Sequence, residues 1–394
     1  MREYLTVFLV AVTVSYLLAV LAREVALRFG AVARVRDRDV HVVPIPYFGG
    51  IAMYGGLVAA YFVARHLPFL STAGDQVFHD AGVVLIAGGI VGALGVLDDL
   101  LELDALTKLG GQVLAAAFLV LNHVQFYYIW LPGNGALTID PAQAALATTF
   151  LVVATVNAVN FVDGLDGLAA GVVGLGAVGF FLFSYRLAAV NGESLAIPAA
   201  VLCAALAGTC AGFVSHNFHP ASMFMGDSGS MLIGLVMAGS ALTLTGNFPA
   251  VDFAGTSGGH QAFLAVLLPI LLPISILIVP FADLLLAVIR RTARGQSPFA
   301  PDKRHLHHRL LEYGHSHRRA VVVMWLWAAF IALGGVGLSL YYQHRVVLVG
   351  LALWFAGTVV LTLVVPRVDR SAWSSSEEDS EEGGAHRRQV PHLG

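Results

Sequence analysis

The sequence predicts an all-α integral membrane protein, a polytopic bundle of about eleven transmembrane helices. Three observations predict it. Asp, Glu, Lys and Arg make up 12% of the 394 residues, hydrophobic residues 57%, and the mean hydropathy is +0.78. A soluble domain carries about 25% charged residues, so this chain lacks the polar cover for water. Its apolar runs reach about twenty residues without a charge, as membrane helices require, whereas barrel strands alternate in segments of about ten. The basic residues, finally, gather in one set of loops. Composition also excludes a disordered chain and a disulfide scaffold. Cys203 and Cys210 are the only cysteines and share one apolar run, so they read as small buried hydrophobes.

In chain order the runs lie at 4–28, 47–66, 81–97, 109–130, 144–162, 167–190, 195–215, 228–245, 262–289, 320–341 and 346–365. The first, from Tyr4 to Leu21, has no basic leader or small-residue cleavage site and is expected to be retained as a span. Span nine carries Pro269, Pro273 and Pro280. Each removes a backbone donor, so this helix is expected to be bent or broken and to open a groove to lipid. Asp283, near its end, faces the bundle or pairs with Arg290 or Arg291. No repeat of fixed period is visible. Residues 1–365 thus read as one membrane domain. The remaining 366–394, with Ser374, Ser375, Ser376 and the run Glu377 to Glu382, read as a disordered acidic cytoplasmic tail.

Loop charge sets orientation. With eleven spans, Arg34, Arg36, Arg38, Lys108, the basic residues between Arg290 and Arg319, and those of the tail all share one side. The other side receives Arg2, Arg65, Arg186 and Arg345. The N-terminus is therefore expected outside and the C-terminus in the cytoplasm.

The informative polar residues fall on that cytoplasmic side. Asp98 and Asp99 end span three, where acids oppose the helix dipole unless a cation or a phosphate-bound metal offsets them. A solvated helix end is the plain alternative. Asn157, Asn160, Asp163 and Asp166 close span five, with Gly164 and Gly167 allowing a sharp turn. Spacing of three puts Asn157, Asn160 and Asp163 within about a third of the helical circumference. The sequence Gly226-Asp227-Ser228-Gly229-Ser230 opens span eight, where Asp or Ser could cap the helix and free amides could meet a phosphate. His305, His307 and His308 sit among Lys303, Arg304 and Arg309. With no thiolate nearby, these histidines suit phosphate better than zinc, and the carboxylates suit a hard cation such as Mg2+. His41, Pro44, Pro46, Gly49 and Gly50 suggest a rigid backbone wall ahead of span two. Together these features describe a site for a metal-chelated polyphosphate beside a lipid-facing groove.

Five of these motifs occur together and in order: Asp98-Asp99, Thr107-Lys108-Leu109, Asn157 to Gly167, Gly226 to Ser230, and His305 to Arg309. In them the chain resembles the polyprenyl-phosphate N-acetylhexosamine-1-phosphate transferase family over residues 1–365. The loop 305–319 is similar to the N-acetylglucosamine branch, the WecA and TagO type. The phospho-MurNAc-pentapeptide branch has three consecutive histidines, whereas here Leu306 interrupts them and Arg309 follows.

The resemblance implies transfer of N-acetylglucosamine-1-phosphate from UDP-N-acetylglucosamine to a membrane polyprenyl phosphate. UMP is released in the first membrane step of a cell-wall or surface polysaccharide pathway, with Mg2+ or Mn2+. It implies Asp227 as metal ligand with Asp98 and Asp99 beside it, and Asp98 as candidate base. Asp98, Asp99, Asp163 and Asp166 form the catalytic set. Lys108, Asn157, Asn160, His305, His307, His308 and Arg309 contact the substrates. The implied partners are the nucleotide sugar, the lipid and the bilayer of the plasma membrane, with no nucleic acid; a homodimer is compatible. The rival readings are a phospho-MurNAc-pentapeptide transferase and a transporter of an anionic substrate. A transporter predicts polar groups at the midplane and an internal repeat, and the sequence shows neither beyond the proline-rich span nine.

Overall fold

The computed structural model describes residues 1–29, 45–131, 135–190, 194–245, 292, 314–341 and 344–364. Among them it has ten α-helices: α1 (Arg2–Phe29), α2 (Gly49–His66), α3 (Asp75–Leu101), α4 (Ala105–Leu121), α5 (Pro141–Val162), α6 (Leu168–Val190), α7 (Ile197–Asn217), α8 (Gly226–Thr245), α9 (His317–Tyr341) and α10 (Arg345–Leu363). An antiparallel ribbon, β1 (Tyr128–Leu131) with β2 (Gly135–Thr138), sets Tyr128 opposite Thr138. Helix starts follow local chemistry. Asp140 accepts from the Ala142 amide at 3.1 Å with Pro141 behind it, and Asp104 accepts from Leu106 and Thr107.

Eight helices are long and apolar enough to cross a membrane: α1, α3, α5, α6, α7, α8, α9 and α10. The fourth expected span is shorter than its apolar run. The chain leaves the helix at Asn122, whose side-chain amide donates to the Phe118 carbonyl at 2.8 Å, and His123 turns at φ 64°. An Asn that satisfies the last carbonyls competes with further helix. The rest of the run, as far as residue 130, leads into the ribbon. At 17 residues, α4 is about 26 Å long, short of the ~30 Å hydrocarbon core. Span nine and the acidic tail lie outside the described residues.

The bundle is organised around α8, which packs against α2, α3, α5 and α7. In its membrane window 94% of residues are buried, against 6% in α10, which separates the axial helix from the peripheral one. The sequence of α8 is apolar or small all round, as a helix without a solvent face needs. Small residues let its neighbours close in. At Gly95 of α3 an added Cβ would fall on the backbone of Asp227 and Ser228. That contact sets the end of α3, one turn further on, against the start of α8.

Candidate active site

Four helix ends meet at one end of the bundle. The Glu102 amide, at a left-handed φ of 53°, donates to the Asp98 carbonyl at 2.9 Å, and the Leu103 amide donates to Asp98 Oδ1 at 2.8 Å. Asp104 then caps α4, so the chain reverses within three residues and presents Lys108 to the end of α3. Lys108 Nζ lies 2.5 Å from Asp98 Oδ2 and 2.9 Å from Asp227 Oδ2. The two carboxylates thus share one ammonium. Asn160 Nδ2 donates to Asp227 Oδ1 at 3.0 Å and to Ser230 Oγ at 2.9 Å. Both oxygens of Asp227 are thereby fixed.

Asp99 does something the sequence did not announce. Its carboxylate accepts from the Asp227 amide at 2.8 Å and the Ser228 amide at 3.3 Å, capping α8 from another helix. The expected seat for a phosphate on these amides is thus taken by a carboxylate, and neither Asp227 nor Ser228 supplies the cap. The same positive helix terminus attracts either anion. Gly226, at φ 71°, makes room, because a Cβ there would strike Asp99. The dipole cost of two acids at the end of α3 is offset by Lys108 for Asp98 and by the α8 terminus for Asp99.

The turn between α5 and α6 adds Asp163 and Asp166. Burial first, then the charges of Asp227, Asp99 and Asp166, push the Asp163 carboxyl up to about 8. Asp166 is buried, its Oδ2 accepting from His219 Nδ1 at 2.8 Å and the Ala221 amide at 3.1 Å. The face expected to join Asn157, Asn160 and Asp163 divides. Asn160 reaches Asp227, while Asn157, one turn deeper, donates to Gln112 Oε1 at 2.6 Å and ties α5 to α4.

Of the segment ahead of span two, the described part pairs with another stretch of backbone. Phe224 N donates to the Pro46 carbonyl, and Gly49 and Gly50 donate to the carbonyls of Phe224 and Met225. This pairing holds the segment that leads into Asp227. His41, Pro44, Asp283, His305, His307, His308 and Arg309 lie outside the described residues. Sequence reasoning passed over Gln112, Asn217, His219 and His317. The signal for Asn217 and His219 was two polar residues ending the apolar run of α7 shortly before Asp227.

The class this arrangement points to is a multi-pass, all-helical protein with a carboxylate-rich polar site at one end of its bundle. The chain belongs to glycosyl transferase family 4, whose sequence profile matches residues 81–245, from α3 to α8. It is 44% identical over 375 residues to the decaprenyl-phosphate N-acetylglucosaminephosphotransferase of Mycobacterium tuberculosis (strain ATCC 25618 / H37Rv), covering 94% of this chain and 91% of the relative. The protein of the same description from Mycolicibacterium smegmatis is 44% identical over 92% of this chain and 89% of its own length. The undecaprenyl-phosphate alpha-N-acetylglucosaminyl 1-phosphate transferase of Salmonella typhi is 28% identical, over 88% of this chain and 85% of its own.

Proposed function

We propose that this protein transfers N-acetylglucosamine-1-phosphate from UDP-N-acetylglucosamine to a membrane polyprenyl phosphate, releasing UMP, with Mg2+ or Mn2+ at the cytoplasmic face of the plasma membrane. The carrying observation is the meeting of Asp98 and Asp227, 129 positions apart in sequence, on the ammonium of Lys108. The relatives, described as decaprenyl- and undecaprenyl-phosphate transferases, support the acceptor and the transferred group. Orientation rests on loop charge. The span count of about eleven is kept in this reading because it puts the basic loops on one side.

The donor set fits a hard divalent cation. It offers oxygen ligands and more carboxylates than Lys108 neutralises. Asp227 and Asp98 would hold the ion with Asp163 alongside, while Asp99 keeps the start of α8 in place. When bound, the ion would neutralise the donor diphosphate and stabilise charge on the departing UMP. Lys108, the ammonium that meets Asp98 and Asp227, would lower the repulsion between two anionic reactants. An oxygen of the lipid phosphate attacks the β-phosphorus of the donor, and the bridge to the α-phosphate breaks. A phosphate monoester has a second pKa of about 6, so the nucleophile is mostly dianionic at neutral pH. Positioning by Asp98 then matters more than proton removal.

The test is UMP release by the purified full chain given polyprenyl phosphate with either UDP-N-acetylglucosamine or UDP-MurNAc-pentapeptide. Release with the first donor alone is expected. Release with the second moves the protein to the peptidoglycan branch, and no UMP from either donor sinks the transferase reading.

A further inference from the structure

Asp166 sits on the turn between α5 and α6, buried and held by hydrogen bonds from outside the turn. Its turn is clamped by two other segments. His219, two residues past the end of α7, donates from Nδ1 to Asp166 Oδ2 at 2.8 Å. His317, the first residue of α9, accepts the Asp166 amide at Nε2 at 3.2 Å. The two imidazoles stack, with centroids 4.2 Å apart and planes 13° from parallel. Arg318 Nε donates to the His219 carbonyl at 2.9 Å, which ties the ring-bearing segment to α9. Next to Asp166, Gly167 stands at φ 79°; its amide donates to Asn217 Oδ1 at 3.0 Å and its carbonyl accepts from Trp325 Nε1 at 3.2 Å.

The donor atoms of Asp166, His219 and His317 lie within 4.8 Å of one another, a spacing that invites a metal. Ring geometry decides against it. A histidine directs its lone pair in the plane of its ring, so two rings that ligate one ion must both contain that ion in their planes. Nearly parallel planes stacked face to face do not meet at one ion. The arrangement is a hydrogen-bonded clamp instead. A glycine-containing turn has many accessible conformations, and a carboxylate on it points one way only if neighbouring elements fix it.

We propose that His219 and His317 are positioning residues for Asp166: His219 orients its carboxylate and His317 its backbone, so that α7 and α9 together set the α5–α6 turn for catalysis. The reading rests on the transferase function proposed above, and the experiment separates the two. In the purified full chain, His219→Leu fills the space without a donor, whereas His219→Asn keeps a donor where Nδ1 stood. His317→Leu and His317→Gln form the matching pair, Gln keeping an acceptor at the place of Nε2. We expect kcat/KM for the nucleotide sugar to fall roughly ten- to hundredfold in each Leu variant, with most of the loss recovered in the Asn and Gln variants. Hydrogen exchange at the amides of Asp166 and Gly167 reads the clamp without turnover and should quicken in the Leu variants alone. Should His219→Leu not fold, His219→Gln, whose amide overshoots the Nδ1 position, must fall below His219→Asn. Leu variants that turn over and exchange like the wild type overturn the proposal, as do Asn and Gln variants no better than Leu. A wild type that releases no UMP overturns the function instead, and the exchange rates still decide the clamp.

Discussion

The two ends of the bundle put the same residue types to different use. Asp80 and Asp98 stand eighteen residues apart on α3, about 27 Å along the helix. At the Asp80 end several charges are settled in separate contacts. Asp80 accepts from Gln76 at 2.7 Å, and Glu3 accepts from the amides of Phe69 and Leu70 at 2.7 and 2.8 Å. Arg65 lies over the Phe78 ring at 5.8 Å and Arg186 over Tyr341 at 5.5 Å. At the Asp98 end, five carboxylates arrive from α3, the α5–α6 turn and α8, and among the described residues the lysine that meets them is Lys108. Local pairing stabilises a fold. Convergence of like charge costs stability, and active sites are where folds tolerate it.

The largest effect that would sharpen this contrast comes from Asp227→Asn. Turnover should fall at least about a thousandfold at every Mg2+ concentration, and retained UMP release would remove Asp227 from the metal role. Next is Lys108→Met, expected to lower kcat/KM roughly a hundredfold by leaving Asp98 and Asp227 to face each other; unchanged kinetics would make the ammonium a mere counter-charge.

A third prediction concerns pH. The folded pKa of Asp163, about 8, lies above its ordinary 3.8, so the metal-free protein binds an extra proton between these values. The stability that Asp163 contributes is full below the lower value and is lost as pH rises through the upper one. A divalent cation favours the ionised form. Its affinity, measured by calorimetry, should therefore climb about tenfold per pH unit below 8 where one proton is released. Asp163→Asn should flatten that slope, and a flat slope in the wild type would exclude Asp163 from the cation's surroundings.

The smallest effects test the comparison most directly, because Asp99 and Glu3 make the same bond pattern at opposite ends. Glu3→Gln should cost about 1 kcal/mol of stability and leave kcat/KM unchanged. Asp99→Asn should cost a similar amount and also lower turnover, since the amides it holds carry Asp227. Equal behaviour of the two variants, in unfolding and in UMP release, would erase the distinction between the ends.

Much of this was legible beforehand. Asp98, Asp99, Asp163, Asp166 and Asp227 stood out because an acid at the end of an apolar run has few structural reasons to be there. Lys108 stood out as one of two lysines. The role of Asp99 was not legible, since its partners are backbone amides 128 and 129 positions away. Neither was the division of Asn157 from Asn160, because a shared helical face does not say which neighbour lies against each turn. The early end of α4 went unread because the apolar run continues past Asn122 into the ribbon.

By itself the sequence determined that this chain is built of helices apolar enough to cross a membrane, and that its scarce acids stand at the ends of apolar runs. Those are consequences of hydropathy and period, which act over a few turns. Tertiary structure alone decided that Lys108 bridges Asp98 to Asp227, that Asp99 caps α8, and that His219 and His317 grip the Asp166 turn. Each depends on how closely two helices approach. At Gly95 and Gly226 that distance is set by a missing Cβ, whose effect appears only once the facing backbone is in place.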